Sequence, residues 1–222
     1  MEPVHIYPLA TGLGMSFLLE YPHGLYLVDS GSPRMEREVL RRMEALGRRD
    51  LKLIWITHAH YDHYGSAAAL RRRTGATVAV HPADARALAL GQSPLGTTHR
   101  HGFLMRLALP VVGALWPLEA TPPDVEIGDG ESLERFGLDA CVLHTPGHTP
   151  GHTCLLLEGG VAFAGDLVAR HRGPKLQDLL ATDWAQLGPS LARLQAAHPA
   201  EVYTGHQSRP IPGPALQQLR PR

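Results

Sequence analysis

The segment Thr57-His58-Ala59-His60-Tyr61-Asp62-His63 constrains this chain more than any other stretch. It sets four metal-capable donors, His58, His60, Asp62 and His63, within six residues. They directly follow an apolar run, Leu53–Thr57, that reads as a central strand. In extended chain His58 and His60 point the same way, and Asp62 continues that period. His63 follows as the chain turns into a helix. Buried as plain core, each donor would need its own hydrogen-bond partner. The carboxyl end of a strand is, by contrast, where an α/β protein places a site. Imidazole with carboxylate suits Zn, Fe or Mn better than Ca or Mg.

Further donors sit just past other strand-like runs. His144-Thr145-Pro146-Gly147-His148-Thr149-Pro150-Gly151-His152 is a loop between two strands. Ala164-Gly165-Asp166 ends one strand, and Thr204-Gly205-His206 ends the last. Around them the periodicity predicts strands at Ser16–Tyr21, Leu25–Val28, Thr77–Val80, Val125–Ile127, Ser132–Phe136, Leu138–Leu143, Cys154–Glu158, Val161–Ala164 and Glu201–Thr204. Helices are expected at Met35–Leu46, Ser66–Arg73, Pro82–Leu90 and Asp183–Ala197, the last capped by Thr182 or Asp183. Each half reads as strands followed by helix, which suits two sheets packed together with helices outside. Residues 91–123 hold glycines, prolines and an apolar piece, Phe103–Leu118, and are read as an insert that packs over something. The alternative is a core helix with its connections. The proline-rich tail from Ser208 is read as peripheral.

The order HxHxDH, then TPGHT, then GD, then GH resembles the metallo-β-lactamase superfamily, and within it the glyoxalase II and lactonase branch. The resemblance spans Asp29 to His206. It implies one domain over residues 1–222, an α/β fold of four layers (an αββα sandwich) with two mixed β-sheets and helices outside. It also implies two divalent metal ions, zinc first, with iron or manganese as alternatives. His58, His60 and His148 would bind the first, and Asp62, His63 and His206 the second, with Asp166 bridging both. Asp29 matches the family's first motif, an aspartate supporting the ligand loops; the other reading is a plain turn aspartate. Two cations about 3.5–4 Å apart share a water and make hydroxide available at neutral pH. Asp62 and Asp166 are thereby the carboxylates nearest the chemistry, and no serine or cysteine nucleophile is needed.

Departures from family patterns narrow the reaction. Zinc β-lactamases usually lack the aspartate supplied here by Asp166. The flavodiiron branch has glutamate at the position of His60. Glyoxalase II proper has a C-terminal helical region, whereas 16 residues follow His206 here, so glutathione thioesters are not expected. The expected activity is hydrolysis of a small ester, thioester or lactone. The alternatives are a sulfur dioxygenase using His58, His60 and His148 as a mononuclear iron site, or a non-catalytic metal-binding protein of the same fold.

The 222 residues balance 21 basic against 21 acidic side chains, which argues against nucleic acid or anionic membrane as a general partner. No apolar run reaches the length of a membrane span, and no leader pattern opens the chain, so a cytoplasmic protein with a small-molecule substrate is expected. Two cysteines, Cys141 and Cys154, do not make a disulfide framework. Tyr64 stands among the ligands and is expected to shape the pocket. Arg170, with His171, Arg172 and Lys175, is read either as meeting an anionic substrate group or as a solvated loop. His144 and His152 are read as structural packing, with hydrogen bonding behind the ligands as the alternative, and His81 as an ordinary loop residue. His99 and His101 either line a substrate path or belong to a solvated loop.

Overall fold

The computed structural model describes residues 4–98, 117–170 and 173–220. Expectations for Phe103–Trp116, His99, His101 and His171, and for the side chain of Arg170, fall outside the described residues.

Two mixed sheets form the centre. The first contains β1 (His5–Thr11), β2 (Gly14–Tyr21), β3 (Gly24–Val28), β4 (Leu51–Ile56), β5 (Thr77–Val80) and, beyond a two-residue β6 (Thr97–Thr98), β7 (Val125–Glu126). Its order is β1-β2-β3-β4-β5-β7. β1 to β3 run antiparallel, and β3, β4, β5 and β7 run parallel. The second sheet contains β8 (Ala140–His144), β9 (Thr153–Leu157) and β10 (Val161–Phe163). After three short strands, β11 (Val168–Arg170), β12 (Pro174–Leu176) and β13 (Leu180–Ala181), it is completed by β14 (Glu201–Thr204) and β15 (Gln207–Pro212). Its order is β15-β14-β10-β9-β8, with only β10 and β14 parallel.

Side-chain alternation along each strand sorts residues into layers. Leu53 and Trp55 of β4 join Phe17, Val28, Val142, Leu155 and Phe163 in a core between the sheets. Ile54 and Ile56 point the other way, onto Val39, Met43, Leu70 and Leu88 of helices Glu36–Ala45, Ala67–Thr74 and Pro82–Ala89. Cys154, Ala162 and Val202, on the far face of the second sheet, meet Leu187, Leu191 and Leu194 of helix Trp184–Ala196. The layers run helix, sheet, sheet, helix, which is the αββα sandwich.

Several local expectations differ from the structure. β1 is an added edge strand, and it tolerates Pro8 because an edge residue need not donate to the ladder. Ser132–Phe136 is not a strand. Ser132 makes one bridge to Cys141, then its Oγ accepts from the Glu134 N–H and starts a single 3-10 turn closed by Gly137. The tail is not peripheral. Ile211 of β15 and Leu216 of helix Gly213–Gln217 are buried against the outer face of the second sheet. No helix among the described residues is long and apolar enough to cross a membrane.

Candidate metal centre

Parallel neighbours bring the donors together, because parallel strands deliver their next residues at the same end. β3 and β4 are parallel, so Asp29 emerges beside Thr57 at the start of the His58–His63 segment. β10 and β14 are parallel, so Asp166 emerges beside His206. The β8–β9 hairpin loop carries His148. The sheets are joined at this end by backbone bonds, Thr153 N–H to the Thr57 carbonyl (2.9 Å) and Met15 N–H to the Gly205 carbonyl (2.7 Å).

Seven side chains converge. The His58, His60 and His148 rings form a near-equilateral set with centroids 4.6, 4.7 and 4.5 Å apart. One donor atom each from His58, His60 and His148 lie within 4.8 Å of one another, as do those of Asp62, His63 and His206. Asp166 lies between the groups. Its Oδ2 is 3.5 Å from His148 Nε2 and 3.0 Å from His206 Nε2, and its Oδ1 is 3.5 Å from His63 Nε2.

Hydrogen bonds on the outer side decide which ring nitrogen faces inward. A carbonyl or carboxylate oxygen only accepts, so the nitrogen against it must carry the proton. His148 Nδ1–H donates to the Leu180 carbonyl (3.1 Å), and His60 Nε2–H to the Pro94 carbonyl (2.8 Å). His63 Nδ1–H donates to Asp29 Oδ2 (2.7 Å), and His206 Nδ1–H to the Leu13 carbonyl (2.9 Å). Thr57 Oγ1 donates to Asp29 and therefore accepts from His58 Nδ1–H (3.0 Å). This leaves His58 Nε2 and His60 Nδ1 as acceptors 3.1 Å apart, an arrangement that a shared cation relieves.

Among the described residues six buried side-chain polar atoms have no hydrogen-bond partner, and three of them, His63 Nε2, His148 Nε2 and Asp166 Oδ1, belong to this cluster. These three face the same small volume. Orphaned buried polar atoms are rare, and here they mark where cations fit. Gly205 leaves them that room, since a Cβ there would strike Asp166 Oδ1 and His63 Cε1.

The two halves differ electrically. Burial, reinforced by neighbouring imidazoles, holds His58 and His148 well below the usual histidine range, and burial lowers His60. These three rings are neutral lone-pair donors. At His206 the Asp166 carboxylate outweighs burial and raises the imidazole to about 9. At His63 burial opposes charge, but Asp166, Asp29 and Asp62 overcome it and hold the ring well above its usual range. Burial likewise works against charge on Asp166, and His206 and His63 reverse it, keeping the carboxylate ionised. The second half therefore favours positive charge, in contrast to the three-histidine half.

Support residues are plain in three dimensions. Asp29 is 1% exposed and accepts from the Thr57 N–H and hydroxyl and from His63, which makes it a support residue rather than a plain turn aspartate. For His152 the hydrogen-bonding alternative holds: it accepts the Asp166 N–H at Nε2 (3.1 Å), while its Nδ1 faces the Thr145 carbonyl and hydroxyl. His81 caps helix Pro82–Ala89 and stacks on His144 at 4.0 Å. Asp84, which carried no signal in the sequence, is buried and accepts from Ala59, Thr149 and Gly151. Tyr64 is corrected: it lies in the core against the first sheet's helices, with its hydroxyl on the Gln92 carbonyl, and Tyr61 is the tyrosine that lines the cavity.

That cavity, about 310 Å³, has His60, Asp62, His148, Asp166 and His206 as its floor. Its walls are mostly apolar, with Leu13, Tyr61, Leu95, Val168, Leu179 and Leu180. Leu13 and Leu179 are 63% and 42% exposed at its rim. Ser93 and Leu95, from the start of the 91–123 segment, also line it.

Comparison with known proteins agrees with this picture. A family profile for the metallo-beta-lactamase superfamily matches residues 10–206. The chain is 30% identical over 181 residues to human acyl-coenzyme A thioesterase MBLAC2, covering 78% of this chain and 60% of that protein. It is 32% identical over 171 residues to a hydroxyacylglutathione hydrolase of Cereibacter sphaeroides, covering 74% of this chain and 52% of that one. The chain thus spans between half and three fifths of these curated relatives. Among solved structures it is similar to TTHA1623 in a di-iron-bound form, at a TM-score of 0.71 and 27% identity, with 97% of this chain and 98% of that chain covered.

Proposed function

The chain belongs to the metallo-β-lactamase superfamily, and from that premise we propose that it is a metal-dependent hydrolase of small esters, thioesters or lactones bearing an apolar acyl group. One observation carries the reading. The orphaned His148 Nε2 and Asp166 Oδ1 belong to residues on the floor of an apolar-walled cavity, and the third orphan, His63 Nε2, lies 3.5 Å from Asp166 Oδ1. In this reading His58, His60 and His148 hold one divalent ion and Asp62, His63 and His206 another, with Asp166 between them. Zinc is the first candidate, and iron the second, since the TTHA1623 structure is a di-iron form.

Such a pair of ions supplies Lewis acidity and a water ionised near neutral pH. The protein's own part is positional. Five outer hydrogen bonds fix the imidazole tautomers, so no ring must turn as the site fills. Asp62 and Asp166 balance positive charge on the floor and are the nearest carboxylates to accept or return a proton. Leu13, Leu179 and Leu180 hold an acyl chain and keep water off it, while Tyr61 flanks the reacting end. The chain works as one domain, and Ser93 and Leu95 supply part of the pocket wall.

The acyl-CoA thioesterase and hydroxyacylglutathione hydrolase names of relatives favour thioesters among the three classes. The test is metal content per chain on protein purified without added metal, paired with a screen of esters, thioesters, lactones and phosphodiesters. About two ions per chain with turnover of one acyl class, lost in Asp166→Ala, is the expected result. A single iron with no hydrolysis but oxygen uptake on a persulfide would overturn it.

A further inference from the structure

Asp84 is a carboxylate 1% exposed in the first turn of helix Pro82–Ala89, and no sequence motif or pocket includes it. Its Oδ2 accepts the Ala59 N–H (2.8 Å) and the Thr149 hydroxyl (2.7 Å), and its Oδ1 accepts the Gly151 N–H (2.7 Å). No cation stands within ion-pair distance among the described residues. A buried carboxylate without a cationic partner is costly unless donors satisfy it, and here all three donors come from two loops of the metal centre. Ala59 lies between His58 and His60, and Thr149 directly follows His148. The loops belong to different sheets, and Asp84 joins them from 25 positions after Ala59 and from 65 and 67 positions before Thr149 and Gly151. Gly151 confirms how tight the junction is, since a Cβ there would lie 2.6 Å from Asp84 Cγ.

We infer that Asp84 is the positioning residue that sets His148 against His58 and His60, and so governs metal affinity at the three-histidine half of the site. The inference rests on the metal reading above. All three neighbours donate, so an amide at this position turns its NH2 toward Gly151 or toward Ala59 and leaves a buried N–H unsatisfied. Asn is therefore no substitute, although it matches Asp in size. Losing the staple frees the Thr149–Gly151 corner and lets the His148 ring drift from its 4.5–4.7 Å spacing to the other two.

The experiment is cobalt(II) affinity of metal-free protein by chelator competition, with the visible spectrum of the bound ion as second readout. Asp84→Asn and Thr149→Val are each expected to weaken binding about 10–100-fold and to change the spectrum. Thr149→Ser keeps the hydroxyl and is expected to bind as wild type. Leu194→Ala, in the helix on the outer face of the second sheet, is expected to lower Tm without moving affinity. If Asp84→Asn binds with wild-type affinity and spectrum, or Leu194→Ala weakens binding equally, the inference falls while the metal reading stands. If Asp84→Asn does not fold, the Thr149 pair decides, and equal binding by Val and Ser variants overturns it. If wild-type protein takes up no cobalt, both readings fall together.

Discussion

Asp29 Oδ2 lies 2.7 Å from Nδ1 of His63, across 34 positions of sequence, and both side chains are buried. That contact aims Nε2 of His63 at Asp62 and Asp166. It is made by a residue in left-handed conformation, φ 58°, which aspartate and asparagine adopt more readily than most side chains.

Asp29→Asn therefore keeps the backbone turn but offers an amide where a carboxylate oriented His63. Because Thr57 N–H and hydroxyl also donate to Asp29, the amide cannot satisfy all its neighbours. Metal affinity at the Asp62–His63–His206 half is expected to fall about 10–100-fold. Elemental analysis after dialysis should show one ion per chain retained. Two retained ions would show that Asp29 serves stability alone.

At Gly205 the expected failure is steric. A Cβ there occupies the space of Asp166 Oδ1 and His63 Cε1, and both are held in place by other bonds. Gly205→Ala is expected to lose one ion per chain and at least about 100-fold in kcat, with a modest change in Tm. The comparison is with Gly130→Ala, where a Cβ meets nothing within 4 Å and only the positive φ is strained. Equal activities for the two variants would refute the argument.

The rim leucines bear on substrate choice. Leu13 and Leu179 line the cavity yet remain largely exposed, so replacing them removes little folded-state packing. Leu13→Ser and Leu179→Ser are each expected to lower kcat/KM for a long acyl thioester about 3–10-fold, with acetyl thioester turnover unchanged. Tm should hold within a degree or two. A uniform loss across chain lengths would place the acyl group elsewhere.

Thiol chemistry should be slow at Cys141 and silent at Cys154 in the native state. Burial pushes the Cys154 thiol up to about 12, and burial also raises Cys141. The thiolate is the nucleophile, so at pH 8 the Cys154 thiolate fraction is about one in ten thousand. Alkylation of folded protein by iodoacetamide is expected to mark Cys141 slowly and to spare Cys154, which reacts on unfolding. For an acid raised in the folded state the linkage sign is clear: the associated stability is intact below about pH 9 and fades as pH climbs toward 12. Rapid native labelling of Cys154 at pH 8 would contradict this.

His58, His60, Asp62 and His63 were legible because they are neighbours in the chain and their spacing is itself the signal. His148, Asp166 and His206 were legible only through their order along a known pattern. Tyr64 stands among the metal-capable donors in sequence, whereas the helix Tyr61–Tyr64 turns it into the core and turns Tyr61 toward the cavity. The tail misled because its prolines suggest a loop, whereas an edge strand accepts them.

The sequence by itself determined the His58–His63 donor cluster and the alternation that sorts Leu53 and Trp55 from Ile54 and Ile56, because both are local periodicities. The tertiary structure alone decided which nitrogen of each histidine faces inward. It alone set Asp84 and His152 to work and made the pocket walls apolar. Those properties come from contacts between residues far apart in the chain, and side-chain partners at such distances follow from strand order and sheet packing, not from spacing.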